Sequence, residues 1–290
     1  MTGPLVLLLT TFIWGTAFLA QKYGADSFGP FALTSFRNFL GGCFLLALIA
    51  MRRRRGAFAV RRSVVAGVWC GLPLFAAMLA QQVGIEHTTP GISAFLTTNY
   101  VIFVPLATIV LSRRLPRAAV WAGMALALAG TWLICMRGET MSLGRGEAWT
   151  ILCSALFSVQ MLAVDRFAPE CDVLVMSASQ LFTAAVCSLP FVLLPSEGAR
   201  LAGFSLSLAA LWPLVYLGVF SSGIAYTLQN YGQARTPPAM AAIILSMESV
   251  FGALSGYAVR GDVMTVAQFV GCALVFSAVV VSQLPARNRK

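Results

Sequence analysis

The sequence predicts an all-α, polytopic membrane protein with ten transmembrane helices arranged as two inverted five-helix repeats. Three observations carry this expectation. Ten apolar stretches, each of about 20 residues, follow one another with short loops between them. The basic residues gather in alternate loops. The second half of the chain repeats spaced features of the first at a constant shift of 147 positions, as in Gly71 and Gly218.

In chain order the expected spans are Pro4–Gln21, Phe31–Met51, Val64–Val83, Gly91–Leu111, Ala118–Met136, Glu147–Asp165, Val173–Leu194, Ala209–Asn230, Ala239–Val259 and Met264–Leu284. A helix rises about 1.5 Å per residue, so each can cross a hydrocarbon core of about 30 Å. Backbone in lipid must satisfy its own hydrogen bonds, which leaves helices or closed barrels, and these runs are too long and too continuously apolar for barrel strands. Span 1 lacks a basic leading region and a small-residue cleavage site after its apolar run, so it is expected to be retained as a helix. Pro73, Pro105, Pro190 and Pro213 fall inside spans 3, 4, 7 and 8, where a missing N–H predicts kinks. Those in spans 3 and 4 are expected to help gate one side.

Composition agrees with this reading. Apolar residues make up 59% of the chain and charged residues 10%, leaving no room for a separate soluble domain. The net charge of +10 does not signal nucleic acid, because the cations lie at span ends and form no single stripe. With the amino terminus inside, the inner segments hold Arg52–Arg55, Arg61, Arg62, Arg113, Arg114, Arg117, Arg166, Arg235, Arg287, Arg289 and Lys290, 14 in all. The outer segments hold 5: Lys22, Arg137, Arg145, Arg200 and Arg260. The positive-inside rule therefore places both termini in the cytoplasm and the chain in the cell's inner (plasma) membrane. The run Arg52–Arg55 serves this topology signal, with anionic lipid headgroups as a second reading. All of the seven cysteines except Cys171 fall inside spans, as small apolar filler and not as a disulfide framework.

The repeat divides the chain into 1–138 and 139–290. Gly71, Gln82, Thr89-Pro90 and Ala94 align with Gly218, Gln229, Thr236-Pro237 and Ala241. Five spans per half is an odd number, so the second copy enters the membrane from the opposite side. Secondary transporters use this architecture because quasi-symmetric halves can open one central site to alternate sides. Duplication as a simple route to a large helical bundle is the bland alternative.

At this point the chain resembles a family. The ten spans, the Trp14-Gly15 pair, and Thr-Pro before spans 4 and 9 are similar to the EamA family of the drug/metabolite transporter superfamily. Met247-Glu248-Ser249-Val250-Phe251-Gly252-Ala253-Leu254 resembles the family's Glu-Pro-Val-Phe-Ala-Ala-Leu segment, with Ser249 where Pro is usual, and Gln268–Leu274 resembles its last-helix signature. Arg113 stands where the family often has Glu in the turn after span 4. The resemblance implies export of amino acids or other metabolites, needs no cofactor, and is compatible with a monomer.

Polar residues within the spans are the candidates for solute binding, since a charge at the bilayer centre costs about 2.5–3.5 kcal/mol on insertion scales. Glu248 lies beside the midpoint of span 9. It is a candidate for proton coupling, for a substrate amine, for a cationic side chain, or for neutral packing. Trp14, Gln81, Gln82, Asn99, Tyr100, Gln160, Tyr226 and Asn230 complete the expected cavity lining, drawn from spans 1, 3, 4, 6, 8 and 9. Interhelical hydrogen bonding is the competing account for several of them. Arg37 is expected to be structural, with its stem reaching the outer interface and Asp26 or Glu86 as its partner. His87, the only histidine, reads as a loop residue.

Enzyme chemistry is not expected. The only lysines, Lys22 and Lys290, stand in no phosphate-binding loop, and one histidine cannot form an intramembrane zinc-protease helix. The leading reading is a carrier of small organic solutes working by alternating access, with or without protons. The alternative is a non-transporting structural or regulatory protein on the same scaffold.

Overall fold

The computed structural model describes residues 2–52, 57–85, 87–88, 90–113, 115–136, 144–202, 208–261 and 263–284. Described residues form helices and short connections, with no strand among them. Spans 1 to 3 are α1 (Gly3–Phe28), α2 (Pro30–Met51) and α3 (Ala57–Ile85). Span 4 divides into α4 (Pro90–Thr97) and α5 (Tyr100–Ser112); span 5 is α6 (Ala118–Cys135). Spans 6 and 7 are α7 (Arg145–Phe167) and α8 (Val173–Val192), followed by a short loop helix α9 (Pro195–Ala202). Span 8 runs through α10 (Leu208–Val215), a π-helical stretch (Tyr216–Ile224) and α11 (Ala225–Gln233). Span 9 comprises α12 (Pro238–Leu245) and α13 (Met247–Arg260), and span 10 is α14 (Val266–Ser282).

Eight of these spans are long and apolar enough to cross a membrane, and the apolar helices Gly3–Ala17 and Val266–Ser282 supply the other two. Their outward faces carry large apolar side chains such as Leu5, Phe39, Val110 and Val186, at 55%, 55%, 77% and 64% exposure. A girdle of this kind would aggregate in water and is stable only against acyl chains. The protein is a multi-pass membrane protein.

Local signals set the helix ends. Thr265 Oγ1 accepts the Gln268 N–H at 3.2 Å while Gln268 Oε1 accepts the Thr265 N–H at 3.1 Å, a reciprocal cap that starts α14. Asp172 caps α8 by accepting the Leu174 N–H at 3.1 Å. At the other end, α13 stops at Gly261 with φ 70°, and α5 stops at Arg113 with φ 52°. The first suits glycine; the second forces a side chain into the left-handed region. His87 is exposed in the turn between α3 and α4, as expected.

The halves interleave. α3 packs on α7 and α8, while span 8 packs on α1 and α2, the pairs that exchanging the two halves would produce. α2 pairs with α8 and α6 with α14 in the same sense. Small residues permit these approaches: a Cβ added to Gly130 would stand 2.6 Å from the Gly271 carbonyl oxygen, and one on Gly271 would stand 2.6 Å from that of Gly130. Gly67 and Gly71 likewise bring α3 against the α8 backbone, where their added Cβ atoms would meet Met176 O at 2.4 Å and Gln180 O at 2.7 Å.

Three backbone interruptions face the middle of the molecule. The break between α4 and α5 falls at Thr98–Asn99 and that between α12 and α13 at Ser246, so Asn99 and Ser246 are 147 positions apart. At both, hydroxyl groups bond back to the preceding turn. Thr98 Oγ1 donates to Ala94 O at 2.9 Å, and Ser246 Oγ donates to Ile243 O at 2.7 Å. The backbone stays in the right-handed helical region, with φ −61° at Asn99 and φ −63° at Ser246, and the turn tightens to i→i+3 bonds. The third interruption is the π-helical stretch, rich in Gly218, Ser221, Ser222 and Gly223, three residues after Pro213. Pro73 and Pro105 lie inside α3 and α5, each within a continuous helical segment.

One tertiary cap joins the halves at the face bearing the α1–α2 connection. Glu197 of α9 is 2% exposed, and its Oε2 accepts the N–H groups of Phe31 at 3.1 Å and Ala32 at 2.9 Å. It serves the first turn of α2, which has no side-chain cap of its own. Gly29, at φ 81°, admits the carboxylate: a Cβ there would lie 2.6 Å from Glu197 Oε2.

Candidate functional site

A cavity of about 90 Å³ lies among spans 1, 2, 3, 4, 6, 8 and 9. The expected spans all contribute, and span 2 adds Arg37. Spans 5, 7 and 10 contribute no lining residue, and the pairing of α6 with α14 lies away from the cavity.

Each polar wall has a local cause. In span 1, Trp14 presents its indole across the cavity to span 8, where Nε1 donates to Ser221 O at 3.0 Å. That carbonyl belongs to the π-helical stretch, whose register leaves carbonyl groups with capacity beyond the regular ladder. The indole also meets Tyr226 edge-on, with ring centroids 5.0 Å apart. Tyr100 enters from the first turn after the break in span 4, and Glu248 from the first turn after the break in span 9. A phenol and a carboxylate thus enter one residue after Asn99 and two residues after Ser246. Gln81 enters from α3 and Gln160 from α7. Gln160 Oε1 accepts the Gln229 Nε2–H at 3.4 Å, while Gln160 Nε2 is buried with no partner in the protein.

Arg37 is the main departure from the sequence reading. It lines the cavity at 9% exposure, and its partners are not at an interface. Nη2 approaches the Met78 thioether at 3.9 Å, and Nε is buried without an acceptor. The expected partner Glu86 lies outside the described residues, and the side chain of Asp26 lies outside them as well. Glu248, half-buried, faces the same cavity, and the two charges interact across it. No ion pair joins them among the described residues.

Six of the expected binding residues, Trp14, Gln81, Gln160, Tyr100, Tyr226 and Glu248, therefore share one cavity. Three others stand apart. Gln82 borders a separate small cleft and donates to Thr34 Oγ1 at 3.5 Å. Asn99 sits at the break in span 4 without reaching the cavity wall. Asn230 is fully buried one layer behind, where Nδ2 donates to Ser177 Oγ at 2.8 Å and to Gln180 Oε1 at 3.0 Å. Interhelical bonding explains it. The other lining residues are Met78, Thr97, Phe157, Met161, Ser221, Gln229 and Leu245.

No group of three or more metal-ligating side chains occurs among the described residues, and the lining holds donors, acceptors and aromatic faces. The volume is far below the roughly 300–1,000 Å³ of pockets for drug-sized molecules. What the arrangement offers is a small, polar, membrane-embedded compartment reached from both halves of the chain.

These features define a multi-pass helical membrane protein with a polar cavity in its interior. The chain belongs to the EamA-like transporter family, whose model matches residues 1–136 and 144–283. It is 25% identical over 282 residues to an uncharacterized transporter of Archaeoglobus fulgidus, covering 97% of this chain and 86% of that one. It is 26% identical over 263 residues to the threonine/homoserine exporter RhtA of Salmonella typhimurium, covering 90% of this chain and 84% of the relative. A solved crystal structure aligns with a TM-score of 0.83 at 21% identity, covering 97% of this chain and 96% of that chain, a likeness of fold.

Proposed function

We propose that the protein is a secondary carrier that exports amino acids or related small metabolites by alternating access, with both termini in the cytoplasm. The observation that carries this reading is the polar cavity, bounded by side chains of both halves and flanked by the π-helical stretch of span 8 and by the tight turns at Asn99 and Ser246 in spans 4 and 9. A central site between two such halves suits a secondary transporter, because rocking one half against the other exposes the same site to either side. The kinship with a threonine/homoserine exporter supports amino acids as the solute class.

Glu248 is the residue through which protons would couple to flux, since it is an ionisable group of the cavity itself. The test is purified protein in sealed vesicles preloaded with radiolabelled threonine, homoserine and a wider amino-acid panel, with and without a proton gradient. Flux above protein-free vesicles is expected. No flux for any solute would overturn the carrier reading and favour a non-transporting scaffold. Gradient-driven flux that survives Glu248→Gln would overturn proton coupling alone.

A further inference from the structure

We infer that the cavity is a two-point site for the zwitterionic backbone of an α-amino acid, with Arg37 receiving the carboxylate and Glu248 the ammonium. This rests on the carrier reading and assigns the chemistry of that same site.

Neither charge has a matching partner among the described residues. Arg37 is nine-tenths buried, yet its Nε has no acceptor and its Nη2 meets only a thioether, a poor match for a guanidinium with five N–H donors. Glu248 faces the same cavity and has no hydrogen-bond or ion-pair partner among the described residues. A buried charge without a partner is strongly unfavourable, and two opposite charges in one cavity would ordinarily close on each other. Here they line one cavity from different helices, α2 and α13, without forming an ion pair among the described residues. An occupant bearing one negative and one positive group satisfies both at once. A guanidinium fork matches a carboxylate in two parallel hydrogen bonds, and a carboxylate accepts from an ammonium.

The remaining walls fit the rest of such a molecule. Gln81, Gln160 and the Thr97 hydroxyl provide neutral polar contacts, and the Gln160 amide nitrogen is buried without a partner. Trp14 and Phe157 offer apolar faces to a short side chain. The cavity volume of about 90 Å³ favours small side chains over aromatic ones.

The experiment measures binding of three probes to the purified full-length protein by calorimetry: L-threonine, its methyl ester and N-acetyl-L-threonine. The ester lacks the carboxylate charge and the N-acetyl compound lacks the ammonium. L-threonine is expected to bind at least about tenfold tighter than either derivative, since a hydrogen bond to a charged group lost on each is worth that much or more. Arg37→Gln should weaken L-threonine about tenfold or more and leave the ester unchanged; Glu248→Gln should do the same and leave the N-acetyl compound unchanged. Equal affinity of wild-type protein for all three probes, or binding of none, overturns the proposal, and this comparison needs no variant to fold. Vesicle flux of neutral solutes alongside equal probe affinities would sink the two-point site while leaving the carrier reading standing.

Discussion

Glu197→Ala removes the acceptor that two backbone N–H groups of α2 share. The side chain is 2% exposed, so no bulk water replaces it, and Phe31 N–H and Ala32 N–H lose bonds of 3.1 and 2.9 Å. Loss of a helix cap typically costs about 1–2 kcal/mol, and the charge near a helix start adds about 0.3–1 kcal/mol. With two donors orphaned rather than one, the expected destabilisation is roughly 2–4 kcal/mol. At about 2–4 °C per kcal/mol for a chain of this size, thermal unfolding in mild detergent should fall by roughly 5–15 °C. Glu197→Gln keeps an oxygen in place and should cost about 1 kcal/mol, a shift of a few degrees. Glu197 does not line the cavity, so solute affinity of the folded variants should match wild type. A melting temperature for Glu197→Ala within about 1 °C of wild type would refute the reasoning. Equal losses for Gln and Ala would refute its reliance on the acceptor oxygen.

Three further outcomes can be measured on the same preparations. Arg113→Gly relieves a side chain at φ 52° and should raise stability by about 0.5–1 kcal/mol, read as an upward melting shift; a downward shift contradicts the strain argument. Gly130→Leu forces a side chain into the Gly271 carbonyl, 2.6 Å from its Cβ, and should sharply reduce folded yield, whereas Gly198→Ala meets nothing within 4 Å and should match wild type in size-exclusion profile. Trp14→Phe loses the bond to Ser221 O but keeps an aromatic face, and should lower the melting temperature by a few degrees; an unchanged melting temperature would contradict a stabilising role for that bond.

The spans were legible because hydropathy is a sum over about 20 residues, and single exceptions do not disturb it. Pro30–Met51 and Ala118–Cys135 differ by a residue from their expected bounds. α3 begins seven residues before its expected start at Val64, since Arg61 and Arg62 lie outside any apolar window yet continue the helix. The interruptions at Asn99 and Ser246 were hidden by the same averaging. Only one or two residues tighten at each place while keeping helical dihedral angles, which hydropathy does not register. The cavity was legible as a set of polar residues on the inner helices, but Gln82 and Asn230 show the limit of that signal. A buried amide bonded to another helix has the same sequence appearance as one facing a solute. Arg37 was misplaced because its depth in the span suggested an interface, whereas its direction depends on how α2 packs on α8 and on the π-helical stretch. Glu197 gave no signal at all, for a cap donated by a distant loop has no local spacing.

The interleaving of the two halves bears on biogenesis. Most close neighbours of α1, α2 and α3 come from the carboxy-terminal half. During synthesis the first five crossings would thus enter the bilayer with their tightest glycine-lined faces turned to lipid, waiting for partners not yet made. The α6–α14 contact, among the most extensive in the molecule, can form only once the last helix has been made.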